Sequence, residues 1–197
     1  RTLIIAEAGV NHSGSLDTAL ALVDAAADAG ADIVKFQTFN ANSTAGRAAQ
    51  KANYQQRSTD AEGSQRAMLQ RLELPQAAHH PLIARAKARG IEFLSTPFDP
   101  PSLAFLLSLD LPRIKIGSGD LTNAPLLHTL AKAGATLILS TGMATLGEVE
   151  DALGVLAHGY GGGNDAPGIA AFRAAWRDPV ARRHLAQKVS LLHCTTE

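Results

Sequence analysis

Six short apolar runs, the first of them without alternation, recur along 197 residues with helical patterns between them. They lie at 3–6, 33–36, 91–94, 114–116, 137–139 and 189–192. A run without alternation suits a strand covered on both faces. Strands separated by amphipathic helices pair in parallel through right-handed crossovers. After the first run, Leu16, Ala19, Leu20, Val23, Ala26 and Ala27 share one helical face, with Ser15 as N-cap and Gly30 as the stop. The same spacing predicts helices over about 76–89, 101–109, 123–133 and 145–157.

Polar residues follow every run. They are Glu7; Lys35 and Gln37; Ser95 and Thr96; Lys115, Ser118 and Asp120; Ser140 and Thr141; His193 and Thr195. An open doubly wound sheet concentrates its site at one switch point, whereas a (β/α)8 barrel gathers it from the C-terminal ends of all its strands. The expected fold class is therefore α/β, a (β/α)8 TIM barrel, incomplete here with about six βα units. Residues 1–197 then form an N-terminal catalytic barrel domain truncated after strand six. Two connections are long. Residues 38–75 are polar and read as an ordered excursion above the sheet. Residues 158–188 read as an insertion, entered through "HGYGGGNDAPG", with a helix near 169–176 ahead of Pro179.

Composition excludes several functions. Lysine and arginine total 18 against 18 acidic residues, so no basic field draws in nucleic acid or anionic membrane. No apolar run approaches a membrane span, and no basic leader precedes one. Cys194 is the only cysteine, which forbids an intrachain disulfide and fits a reducing cytoplasm.

Glu7 poses a question, because an unpartnered carboxylate at the end of a buried strand costs several kcal/mol or more. Strand alternation places Ile33, Lys35 and Gln37 on one face and Val34 and Phe36 on the other. With the apolar pair against the helices, Lys35 and Gln37 point into the barrel, and Glu7 on the neighbouring strand can serve Lys35. Lys115, between Ile114 and Ile116, is a second inward lysine. The bland alternative is a buried ion pair with Lys115 snorkelling to solvent. The functional reading gives the spare positive charge to an anionic ligand, cradled by "GSG" at 117–119 and "STG" at 140–142.

The segments "IIAEAGVNHSGS", "GADIVKFQTF", "QKANYQ", "FLSTPFD", "KIGSGDLTNAPLL", "LSTGMATLGEVEDAL" and "LLHCTTE" resemble, in order, the N-acetylneuraminate (sialic acid) synthase family. That family includes the legionaminate and pseudaminate synthases, and the resemblance covers the chain except 158–188. "QKANYQ" and "SQRAMLQRLEL" look more like the neuraminate and legionaminate branches. The resemblance implies condensation of phosphoenolpyruvate with an N-acetyl hexosamine, N-acetylmannosamine or a 6-deoxy diacetamido analogue, to a nine-carbon 2-keto acid and phosphate. It implies that Lys35, Lys115, Ser118 and Ser140 hold phosphoenolpyruvate, with Thr196 near the phosphate. Gln37, Thr96, Phe98 and Asp120 then line the sugar site, and Glu7 positions the sugar and handles protons. Glu7 and Asp120 are the expected catalytic residues.

The resemblance further implies a divalent metal, Mn²⁺, whose histidine ligands are expected beyond Glu197, with no metal ligand in this chain. It argues against His193 as a ligand and for a hydrogen-bonded structural role. The fragment alone is expected to be inactive, and the full-length protein to be a cytoplasmic homodimer. Asp120 stands where the family commonly has Glu, and "HCTT" replaces an "HCTN" seen in some members. His12 is expected to orient the site or cap its turn, Cys194 to be an inert buried thiol, and Met143 and Trp176 to be packing or lid residues. Other phosphoenolpyruvate aldol synthases share the barrel but not these motifs. A different-class alternative is a noncatalytic relative acting as a binding protein in surface-polysaccharide or coat assembly.

Overall fold

Alternating strands and helices are what a computed structural model contains; it describes residues 1–44, 64–162 and 165–195. The chain divides into two compact units, Arg1–Phe105 and Leu106–Glu197. In the first, strands β1 (Ile5–Gly9), β2 (Ile33–Thr38) and β3 (Glu92–Pro97) pair in parallel in that order. Helix α1 (Leu16–Asp28) connects β1 to β2. Between β2 and β3 come α2 (Ala41–Thr44), α3 (Gln65–Leu72) and α4 (His79–Ala88). Ser15 caps α1 as expected, its hydroxyl oxygen accepting from the Thr18 N–H at 3.3 Å, and Gly30 turns the chain at φ +77°. Val23, Val34, Phe36 and Leu82 are fully buried between the helices and the sheet, and Ile33 and Leu94 are fully buried on the sheet's opposite face, which Lys35 shares.

The first strand begins later than its apolar run. Leu3 and Ile4 are exposed, at 51 % and 55 %, so this run is not covered on both faces. The reason is register: β2 starts at Ile33, opposite Ile5, while the Asp32 carboxylate takes the Ile4 N–H at 2.9 Å. The strand then runs on through Glu7, which falls in register with Lys35. The 38–75 excursion has α2 and α3 at its two ends. "QKANYQ" lies outside the described residues.

In the second unit, β4 (Ile114–Ile116), β5 (Leu137–Ser140) and β6 (Val189–Leu192) again pair in parallel. Helix α5 (Pro100–Ser108) precedes β4, and α6 (Ala124–Lys132) links β4 to β5. Helices α7 (Leu146–Tyr160), α8 (Ile169–Arg177) and α9 (Pro179–Lys188) link β5 to β6. Thr145 and Glu148 form a reciprocal capping box at the start of α7. That helix runs past residue 157 because Gly159 is a contact point, not a stop. A Cβ there would lie 2.5 Å from the Ala131 Cβ.

The helix expected near 169–176 is α8. Helix α9 has no counterpart in the sequence reading, which placed a helix only ahead of Pro179. Pro179 instead begins α9, since the first turn needs no N–H from it, and the Asp178 carboxylate accepts from the Val180 N–H at 2.8 Å. Phe172 and Trp176 line an open groove of about 560 Å³ between α7 and α8. No described helix is long and apolar enough to cross a membrane.

Candidate active site

The residues singled out in the first unit gather at the C-terminal ends of its strands. Lys35 Nζ meets Glu7 Oε2 at 2.5 Å. Gly9, at φ +55°, lets the chain pass close to both partners of the site. A Cβ there would sit 3.1 Å from Glu7 Oε1 and 3.8 Å from Gln37 Nε2. Gln37 lies opposite Thr96 in the β2–β3 register. Thr96 is buried, whereas Phe98, just past β3, is 40 % exposed. The expectation of a buried Glu7 is corrected here. Its side chain is 49 % exposed and pairs with Lys35 on the neighbouring strand.

Loops behind this cluster are strapped by residues the sequence reading did not single out. The buried Asp99 carboxylate accepts from the Asn40 N–H at 2.6 Å, the Ser102 N–H at 2.8 Å and the Thr44 hydroxyl at 3.2 Å. It thereby ties the loop after β2 to the start of α5. His12 is also buried. Its Nδ1 accepts from the Gly14 N–H at 3.0 Å, which makes it a cap of the glycine-rich turn. Burial pushes its pKa below the ordinary value, so the ring is neutral there.

The second unit holds a different cluster. Lys115 is 7 % exposed and does not snorkel; it donates to the Ile116 carbonyl at 2.8 Å and to Ser140 Oγ at 2.6 Å. Gly142 brings the backbone against Ser118 and Cys194, since a Cβ there would lie 3.3 Å from Ser118 Oγ and from Cys194 Sγ. Thr141 donates through both its N–H and its hydroxyl to the Leu192 carbonyl, at 3.1 and 3.0 Å, fastening the end of β5 to β6. Asp120 closes a single 3₁₀ turn, Ser118–Asp120, and its Oδ1 accepts from the Asn123 amide at 3.0 Å. Thr196 lies outside the described residues.

One expectation about this unit changes. Cys194 is half-buried, not sealed in the core, and a hydrogen bond with Ser140 holds its thiol below the ordinary range. The backbone at Gly142 and Thr141 and the charge of Lys115 act in the same direction. His193 is exposed past the end of β6.

Chemically the clusters are complementary. An ammonium, two hydroxyls and glycine backbone in the second unit suit the oxygens of a phosphate or carboxylate. A carboxylate, an amide and a hydroxyl in the first suit a polyhydroxy amide, with Glu7 wet enough to exchange protons. Among the described residues no three His, Cys, Asp or Glu side chains converge as a metal site would require, so they do not fit a divalent cation.

Comparison with known proteins gives consistent matches. The NeuB family matches residues 22–197. N,N'-diacetyllegionaminic acid synthase of Campylobacter jejuni is 47 % identical over all 197 residues, which cover 52 % of that protein. The chain thus spans about half the length of the curated relatives it matches. Among solved structures, a spore coat polysaccharide biosynthesis protein of Bacillus subtilis aligns at TM-score 0.65 and 32 % identity, covering 99 % of this chain and 44 % of that one. A sialic acid synthetase of Leptospira borgpetersenii, crystallised with citrate, aligns at TM-score 0.65 and 25 % identity over 100 % of this chain and 74 % of its own. The fold class is that of the (β/α)8 barrel, and six of its parallel strands lie among the described residues.

Proposed function

The chain belongs to the NeuB family, and on that premise we propose that the complete protein is a sialic-acid-type synthase joining phosphoenolpyruvate to an N-acetyl amino sugar. What carries the reading is 47 % identity, over the whole chain, to a diacetyllegionaminic acid synthase. The same similarity favours a 6-deoxy diacetamido hexose over N-acetylmannosamine as the sugar. The product is a nine-carbon 2-keto acid, released with inorganic phosphate.

In this reading the methylene carbon of phosphoenolpyruvate forms a bond to the aldehyde carbon of the open-chain sugar. That bond leaves an oxocarbenium at carbon two; water adds there, and one of its protons passes by way of Glu7 to the aldehyde oxygen. The hemiketal so formed then breaks its C–O bond to phosphate, which leaves with the second proton as the keto group forms. The family resemblance assigns Lys35, Lys115, Ser118 and Ser140 to phosphoenolpyruvate, and Thr196 to its phosphate. Gln37, Thr96, Phe98 and Asp120 line the sugar. The family resemblance implies a divalent metal, Mn²⁺, whose ligands are proposed to lie beyond Glu197. The protein is proposed to act in the cytoplasm as a homodimer.

The test uses the complete protein with phosphoenolpyruvate, a divalent metal and each of the two sugars. Mass spectrometry of a nine-carbon keto acid, matched mole for mole by phosphate, is the expected result. Sugar binding without turnover would favour the noncatalytic binding protein instead.

A further inference from the structure

Behind the sugar-lining residues of the first unit lies a hydrogen-bonded trio of polar side chains. Thr38 Oγ1 is 2.8 Å from His79 Nε2 and 2.7 Å from Ser95 Oγ. All three residues are buried, at 4 %, 2 % and 0 % exposure. Thr38 follows Gln37 on β2, Ser95 precedes Thr96 on β3, and His79 opens α4. Strand alternation puts Thr38 and Ser95 on the helix side, directly behind Gln37 and Thr96, which face each other across the ladder. The imidazole is wedged edge-on against Phe93 and Phe105, with ring centroids 6.1 and 5.0 Å away. Burial holds its pKa below the ordinary value, so it meets the hydroxyls as a neutral ring.

Buried in an aromatic layer, His79 Nε2 and Ser95 Oγ both meet the Thr38 hydroxyl, while His79 Nδ1 has no partner. These directed bonds fix the distances among the three side chains more tightly than apolar contact would. The trio therefore clamps the C-terminal ends of two strands to the first turn of a helix. We propose that His79 is a positioning residue of the sugar site: through Thr38 and Ser95 it sets the aim of Gln37 and Thr96 without touching substrate. This inference rests on the synthase reading, in which Gln37 and Thr96 line the sugar. Lys35, two residues earlier on β2 and braced by Glu7, is insulated from the clamp.

The experiment uses the complete protein. His79→Phe keeps a ring between Phe93 and Phe105 and removes the nitrogens. His79→Gln returns a hydrogen-bonding group near the Nε2 position. Thr38→Val deletes the hydroxyl from the other side at nearly constant shape. Small misplacement of orienting groups costs one to two orders of magnitude, so His79→Phe is expected to raise the sugar KM about tenfold. The phosphoenolpyruvate KM should stay within about twofold, since Lys35 and the second unit are untouched. Thr38→Val should reproduce that split, the double variant should be no worse than either single one, and His79→Gln should recover most of the loss. If His79→Phe does not fold, the Thr38→Val split decides. A lowered Tm with both KM values unchanged, or both KM values raised together, overturns the positioning role. A wild-type protein that makes no keto acid overturns the synthase reading and this inference with it. An active wild type with no sugar-selective split overturns this inference alone.

Discussion

Lys35 and Lys115 each sit mid-strand, yet the two units hold them by different means. Lys35 is part-exposed and paired with the half-exposed Glu7 carboxylate. Lys115 is buried and spends its donors on a backbone carbonyl and the Ser140 hydroxyl. A charge near water is held by a countercharge for little energy, roughly 0–1 kcal/mol, and keeps its freedom to exchange protons. A desolvated ammonium needs directed hydrogen bonds, so its position is fixed and its neighbours feel its charge. The first arrangement suits proton handling, and the second suits gripping an anion.

The strongest test of that contrast is Glu7→Gln in the complete protein. Turnover should fall by about two to four orders of magnitude, the usual share of a general acid–base group. Stability should change by less than about 1 kcal/mol, because the pair is half-exposed. Steady-state kinetics and thermal melting read the two effects, and a stability loss with normal turnover would make the pair merely structural.

Next comes Lys115→Met, which keeps the apolar stem and removes the ammonium. A charge-assisted contact contributes about 1.5–3 kcal/mol, so phosphoenolpyruvate affinity should fall roughly tenfold to more than a hundredfold by calorimetric titration. Unchanged affinity would reduce Lys115 to a clip between β4 and β5.

Smaller effects belong to the scaffold beneath each cluster. Gly159→Ala forces a Cβ to 2.5 Å from Ala131, and overpacking of this kind costs about 1–3 kcal/mol, read as a lowered Tm. Gly147→Ala, where a Cβ meets nothing nearer than the Thr145 hydroxyl at 3.9 Å, is the matched control and should not lower it.

The smallest expected effect is on pH. Burial lowers the pKa of His12 and His79 in the first unit and, with help from His158 and Lys132, of His128 in the second. The unfolded chain then binds protons that the folded chain does not. The stability these rings contribute is fully present above about pH 6.5 and is lost as pH falls toward the folded values. Melting across pH 8 to 5 should show a plateau followed by a decline. Replacing His79 with Phe should flatten part of that decline, and an unaltered slope would remove His79 from the account.

Much of this was legible from residues alone where the signal was local. The runs at 114–116 and 189–192 are strands over those same residues, and Ser15 caps its helix, because periodicity and capping depend on near neighbours. Alternation on β2, with β1 as its neighbour, was enough to suggest the Glu7–Lys35 pair. Position 179 misled because proline ends one helix and begins another equally well; only the Asp178 cap decides which. Leu3 and Ile4 misled because their apolar character is local while the start of their partner strand is not.

By itself, the amino-acid order determined the βα alternation, the parallel pairing, the polar residues at the strand ends and the family. Tertiary structure alone decided how wet and how paired each of those polar groups is. Ser140 lies 25 residues from Lys115, and only strand pairing makes them partners. Glu7 is open, Lys115 is buried and the Cys194 thiol is acidified for the same reason. Solvation and electrostatic field come from atoms that the crossovers bring together, and the local chain does not specify those atoms.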